Sequence, residues 1–262
     1  MPKISEIAKI YKRLKGVTPQ LKAISRDPEL QRIHNGYYRQ VPLSFAMNPV
    51  RRFPQVWLGR PPYRYPAQRP VKFFLPDLEG KPWWDRDSNS ETLENNVDDI
   101  RKEFDEVCDR VKKHPQKYLV DKGNWSTFFL YRSGKVEENC RACPRTTQIV
   151  ESLPLCYKVK SAVYFSVMMP GTEIKPHCGP VNTRLRYHLP IAIDDKAWMR
   201  VDEEKRSWKS GECFVFDDSF EHEVQHHGSL PRVVLLVDCW HPALSAPERR
   251  CLEQLYADLS VM

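Results

Sequence analysis

From Trp125 to Trp240 the chain is a series of short β-type runs, and this feature most limits its fold. The runs are Trp125–Tyr131, Ala162–Met168, Arg184–Ile193, Cys213–Phe216 and Val233–Trp240. Turn residues separate them at Ser133-Gly134, Pro170-Gly171, Asp194-Asp195 and Ser210-Gly211. Many short strands at even turn spacing predict a sandwich or barrel. Helical patterns flank this region. Leu93, Val97, Ile100, Phe104, Val107 and Val111 recur at steps of three and four, which predicts a helix over 91–114 closed by Pro115. A final helix is predicted over 247–259, and one or two short helices over 3–35, where Ile4, Ile7, Ile10 and Leu14 have helical spacing. Prolines from Pro42 to Pro82 forbid long regular elements, and the aromatics Phe45, Phe53, Trp57, Tyr63 and Tyr65 stand among them. Disordered segments are poor in aromatics, so this stretch is predicted to be an extended strap packed on the core. The expected class is mainly β with flanking helices.

Composition narrows the function. The 262 residues can bury a substantial core. The formal charge of +7 is a mild excess. It suits anionic small molecules or a membrane surface as well as it suits plain solubility. The basic residues form no long run interleaved with aromatics, so no nucleic-acid partner is expected. No stretch approaches the roughly 20 apolar residues of a membrane helix, and Met1 to Gly16 makes a poor signal peptide. A cytoplasmic location is the expectation. The eight cysteines show no disulfide spacing. Cys140 and Cys143 form a lone CxxC without the second pair that a structural zinc needs.

Two polar motifs carry the chemistry. The first runs from Pro170 through His177 to His188, and the second from Phe216 through His222 to Val224, with Arg232 ten residues beyond His222. Imidazole ligates Fe, Zn, Cu or Ni. Two such ligands on separate strands, with an arginine behind, suit a metal that shares its site with an anion. Arg184, Arg186 and His188 alternate with apolar residues and so project on one face. Two readings are open for them: an outward solvated face, or an inward face neutralised by an anion. Asp217 and Asp218 are read either as a strand-end turn or as acceptors for the second N–H of metal-bound imidazoles.

These motifs resemble those of the aspartyl/asparaginyl β-hydroxylase family. Arg232 and Val237-Asp-Cys-Trp-His-Pro242 add to the likeness, with weaker echoes in Leu75–Trp84 and Gly123–Ser126. The resemblance covers roughly residues 73–250. It implies a double-stranded β-helix (jelly-roll or cupin-like) that uses Fe(2+) and 2-oxoglutarate. By position, His177 and His222 are implied to hold iron. Arg232 and Ser166 are implied to bind the distal carboxylate of 2-oxoglutarate, and Arg186 and His188 its other carboxylate, with Trp125 lining the pocket. The carboxylate that usually completes such an iron site lies two residues after the first histidine. Here that residue is Gly179, as in the family.

The expected organisation is an N-terminal helical and proline-rich extension over 1–72 and an oxygenase domain over 73–262. The expected reaction is hydroxylation of a C–H by dioxygen, at the β-carbon of an Asp or Asn residue in a protein or peptide, or on a related acyl substrate. The alternatives are a degenerate β-helix that only binds, a lipid-acyl hydroxylase on the same fold, and a zinc hydrolase. The last lacks a third ligand and leaves the arginines unexplained.

Overall fold

A computed structural model describes residues 26–33, 65–71, 73–75, 77–156, 161–193 and 196–260, with side chains to residue 254. Most of the helical stretch expected over 3–35, most of the strap and the turn at Asp194-Asp195 lie outside the described residues; the described end of the helical stretch contains a 3-10 turn at Pro28–Leu30.

The strands are β1 (Trp83–Trp84), β2 (Lys112–Lys113), β3 (Val120–Lys122), β4 (Trp125–Arg132), β5 (Ala162–Met168), β6 (Glu173–His177), β7 (Arg184–Ala192), β8 (Ala197–Val201), β9 (Glu204–Ser207), β10 (Phe214–Phe216), β11 (His222–His226) and β12 (Arg232–Trp240). One antiparallel sheet has the order β1-β10-β7-β12-β5-β4-β2, and the other β3-β6-β11-β8-β9. The run from β5 to β12 crosses repeatedly between them. Strands 5, 7, 10 and 12 enter the larger sheet, and 6, 8, 9 and 11 the smaller. Nested pairing of this kind makes a jelly roll.

Period-two alternation builds the layers. On β12, Val233, Leu235, Val237 and Cys239 join the cluster of Leu185, Tyr187, Leu189 and Ile191 on the outer face of the larger sheet. Helices α1 (Ser88–Glu94), α2 (Val97–Val107), α3 (Glu137–Ala142) and α4 (Pro144–Glu151) pack there through Leu93, Ile100, Phe104 and Ile149. The inner faces of both sheets meet through Met168, Val234 and Phe216 from one side and Ile174, Met199 and Val224 from the other. Strand β12 is buried along its whole length, as expected for a strand covered on both faces.

The single helix expected over 91–114 is two helices with a break at Asn95-Asn96. The Asn96 side chain donates to the Thr92 carbonyl at 2.8 Å, a local bond that competes with the helix ladder. Beyond Val107 the chain turns through a 3-10 segment into β2, an edge strand of two exposed lysines. The α3–α4 pair was not foreseen. Pro144 occupies the first turn of α4, and the backbone N–H groups of Arg145 and Thr146 donate to the Glu103 carboxylate, each at 2.7 Å. The final helix, α5 (Ala246–Ser260), lies where the sequence placed it.

The described part of the strap is stitched to the loops beside the two motif histidines. Val71 and Phe73 donate backbone N–H bonds to Gly179 and Pro180, each at 3.0 Å. Arg69 N–H donates to Ser219 at 2.9 Å, and Glu221 N–H donates to Ala67 at 2.8 Å. Inside, Gln68 is buried and donates to the Asp217 carboxylate and Ser219 hydroxyl, each at 3.1 Å.

Candidate active site

Strand β6 ends on His177 and β11 begins on His222, and the register sets these two residues opposite each other. Their ring centroids are 4.1 Å apart. The Nδ1 of His177 faces the Lys175 carbonyl at 2.7 Å, and that of His222 faces the Phe220 carbonyl at 2.8 Å. A carbonyl only accepts, so each neutral ring carries its proton on Nδ1 and keeps a lone pair on Nε2. Burial lowers the pKa of both rings, most strongly at His222. Two neutral imidazoles with oriented Nε2 lone pairs are the state a metal ligand needs. Among the described residues, no cluster of three or more His, Cys, Asp or Glu side chains is arranged to hold a metal.

The seven side chains that the resemblance implies for iron and 2-oxoglutarate, Trp125, Ser166, His177, Arg186, His188, His222 and Arg232, line one cavity between the sheets, and Arg184, Asp217 and Asp218 do not. The inward reading of Arg186 and His188 is the observed one. At the far end Arg232 is 2% exposed. Its Nη1 donates to the Ser166 hydroxyl at 3.2 Å, and its guanidinium lies 4.1 Å from the centre of the Trp208 ring. Among the described residues no carboxylate pairs with it, and burial lowers its pKa. Trp125 Nε1 also donates to Ser166 Oγ, at 2.9 Å. Both lone pairs of that hydroxyl are thus taken, and its O–H is left to donate. His188 is buried with neither ring nitrogen hydrogen-bonded. Its pKa is held well below the ordinary value by burial and by Arg232 and Arg186. An uncompensated cation and an unsatisfied imidazole buried in one cavity are costly without a ligand.

Arg186 is placed differently from Arg232. Its Nε and Nη2 donate to the two Asp238 oxygens at 2.8 and 3.1 Å, and Nη1 lies 3.2 Å from Asp218 Oδ2. Arg184 bridges the same acids, at 2.7 Å to Asp238 and 2.8 Å to Asp218. The two guanidinium groups and two carboxylates form a neutral buried quartet, and the arginines hold the Asp218 carboxyl well below its usual range. Arg186 keeps further N–H bonds for a ligand, since a guanidinium has five. The sequence reading missed this quartet. Its signal was a lone acid, Asp238, inside the apolar run from Val233 to Trp240.

Asp217 and Asp218 do not receive the imidazole N–H groups; backbone carbonyls do. Asp217 accepts from Gln68 and from the Ser219 N–H, and burial pushes its pKa up to about 8. Asp218 sits against Gly179, where an added Cβ would overlap its carboxylate. Glycine is needed at 179 for this room and not for a left-handed backbone, because its φ is not positive. The space where a third side-chain ligand would start is therefore taken by an acid from the other motif. Gly179→Ala is expected to destabilise the protein by about 1–3 kcal/mol through overpacking. Urea unfolding measures this, and an unchanged midpoint would show that Asp218 yields freely.

Residues 94–242 match the family model described as aspartyl/asparaginyl beta-hydroxylase. Human aspartate beta-hydroxylase domain-containing protein 2 is 39% identical over 204 residues, covering 72% of this chain and 55% of that protein. Human aspartyl/asparaginyl beta-hydroxylase is 37% identical over 186 residues, covering 67% of this chain and 24% of its own length. The match thus spans about half or less of these relatives. Among solved structures, a Pseudomonas putida prolyl-4-hydroxylase aligns over 56% of this chain and 88% of its own, at 14% identity and a TM-score of 0.37. With the jelly roll and its paired histidines in place, the extent and identity of these matches make the chain a member of the aspartyl/asparaginyl β-hydroxylase family.

Proposed function

We propose that this protein is an Fe(2+)- and 2-oxoglutarate-dependent dioxygenase that hydroxylates a C–H bond, at the β-carbon of a peptidyl Asp or Asn or on a related acyl group. The observation that carries the reading is Arg232, a buried guanidinium with no carboxylate partner among the described residues, in the same cavity as the histidine pair. A dianionic cosubstrate supplies the missing counter-charge. Arg232 and the free O–H of Ser166 bind its distal carboxylate, with Trp125 fixing Ser166. Arg186, held by Asp238, and His188 take the carboxylate next to the keto group. His177 and His222 hold the iron through Nε2. When bound, iron and 2-oxoglutarate supply oxidative decarboxylation to succinate and CO2, coupled to oxygen insertion into the substrate. The chain's part is to bind, orient and exclude water, the last through Met168, Ile174, Met199, Val224 and Leu236 around the cavity.

The domain division at residue 72 belongs to the same proposal, as does a cytoplasmic location. All eight cysteines are free, which supports a reducing compartment. Among the described residues no helix is long and apolar enough to cross a membrane.

The test is succinate formation by anaerobically iron-loaded protein given 2-oxoglutarate and oxygen. Wild type is expected to form succinate. His177→Ala is expected to retain less iron, by metal analysis after desalting, and to form none. Full iron retention by a folded His177→Ala protein would remove this residue from the site.

A further inference from the structure

The inner face of β5 carries a hydroxyl not used above. Tyr164 precedes Ser166 by two residues and so points to the same side of the strand. It shares one cross-strand row with four residues: Phe214 on β10, His188 on β7, Leu236 on β12 and Phe129 on β4. His188 and Tyr164 thus flank Leu236, about 10 Å apart at Cα from two strand spacings. Their row lies between the Ser166–Val234 row and the Arg186–Asp238 row, at about 7 Å from each along the strands.

The ring is fixed and the hydroxyl is not. Phe129 packs on Tyr164 with centroids 4.8 Å apart, and His114 with centroids 5.8 Å apart. His114 is itself stacked on Trp125 at 3.5 Å. Tyr164 is 5% exposed and lines the cavity, yet its hydroxyl has no hydrogen-bond partner among the described residues. The charges that act on it are Arg186 first, then Asp238, Arg232 and Arg184. The register agrees: along the sheet, the Tyr164 row lies between the row of Arg186 and that of Arg232, the residues assigned to the two ends of the cosubstrate. Burial pushes the phenol up to about 12, so at neutral pH it is a donor. A neutral donor suits this position better than a third cation, which would face two like charges.

On the oxygenase reading above, we propose that Tyr164 is a further cosubstrate-binding residue. Its O–H donates a hydrogen bond to 2-oxoglutarate on the side of the cavity opposite His188. The hydroxyl makes no hydrogen bond to the described residues, so Tyr164→Phe removes no protein–protein bond from the ligand-free protein.

The test is titration of Mn(II)-loaded protein with 2-oxoglutarate by calorimetry, for wild type, Tyr164→Phe and Arg232→Met, with thermal melts of each in the metal-free form. Tyr164→Phe is expected to bind about tenfold more weakly than wild type and to melt at the same temperature or higher. Equal binding by Tyr164→Phe and wild type, with Arg232→Met weakened, would overturn the tyrosine assignment and leave the cosubstrate site standing. A lower melting temperature for metal-free Tyr164→Phe would also overturn it, because the hydroxyl would then serve the fold. No binding by wild type, or none lost in Arg232→Met, would overturn the oxygenase reading and the tyrosine assignment together.

Discussion

Arg232→Met is expected to weaken 2-oxoglutarate binding by roughly 10- to 150-fold and to make the ligand-free protein more stable. The first effect is the loss of a charge-assisted contact, about 1.5–3 kcal/mol. The second follows from burial. Arg232 is 2% exposed, and among the described residues its side chain has one hydrogen-bond partner, Ser166, with the Trp208 ring below it. A buried cation without a counter-charge destabilises the fold, and an apolar side chain of similar volume removes that cost. Function and stability should therefore move in opposite directions at this position, as is common where a site is built for a ligand. Calorimetric titration measures the first effect and urea unfolding the second. Lysine should restore binding only in part, because it lacks the planar fork. Tight binding by Arg232→Met would misplace the pocket, and lower stability would mean that the guanidinium is already compensated.

Asp238→Ala is expected to have the larger effect on the fold, a loss of about 3–5 kcal/mol. Asp238 is fully buried and accepts from both nitrogens of the Arg186 fork, from Arg184 and from the Ala162 backbone N–H. Removing it leaves two guanidinium groups sharing Asp218 alone. Denaturant unfolding at neutral pH reads the loss. A change below about 1 kcal/mol would show that water or Asp218 takes over its role.

Strands β4, β5, β7, β10 and β12 were legible as short β-type runs between turn residues, whereas β1, β2, β3, β8 and β9 were not among the runs read. Leu185, Tyr187 and Leu189 mark the outer face of β7, which puts Arg184, Arg186 and His188 inside. The register of β6 and β11, which brings His177 against His222, was legible only through the likeness of two motifs to a known family. Other parts carried no usable local signal. The helix break at Asn95-Asn96 lies within an unbroken apolar period, so periodicity alone runs through it. Helices α3 and α4 are too short to show a period. The partners of the imidazole Nδ1 atoms are backbone carbonyls, which no residue letter records. Arg186 and Asp238 are 52 residues apart and meet only because β7 and β12 pair.

The short strap through Ala67, Arg69, Val71 and Phe73 acts as a keystone. Two arms of the roll, 45 residues apart in sequence, each bring one histidine, and the same few peptide groups are wedged against both. The pairing of β6 with β11 sets the span between the two imidazoles, and the strap ties the loops beside them to one short segment. The keystone lies outside the stretch at 94–242 that marks the family. The contacts that brace the loops around the two histidines therefore reach beyond the segment that the family model covers.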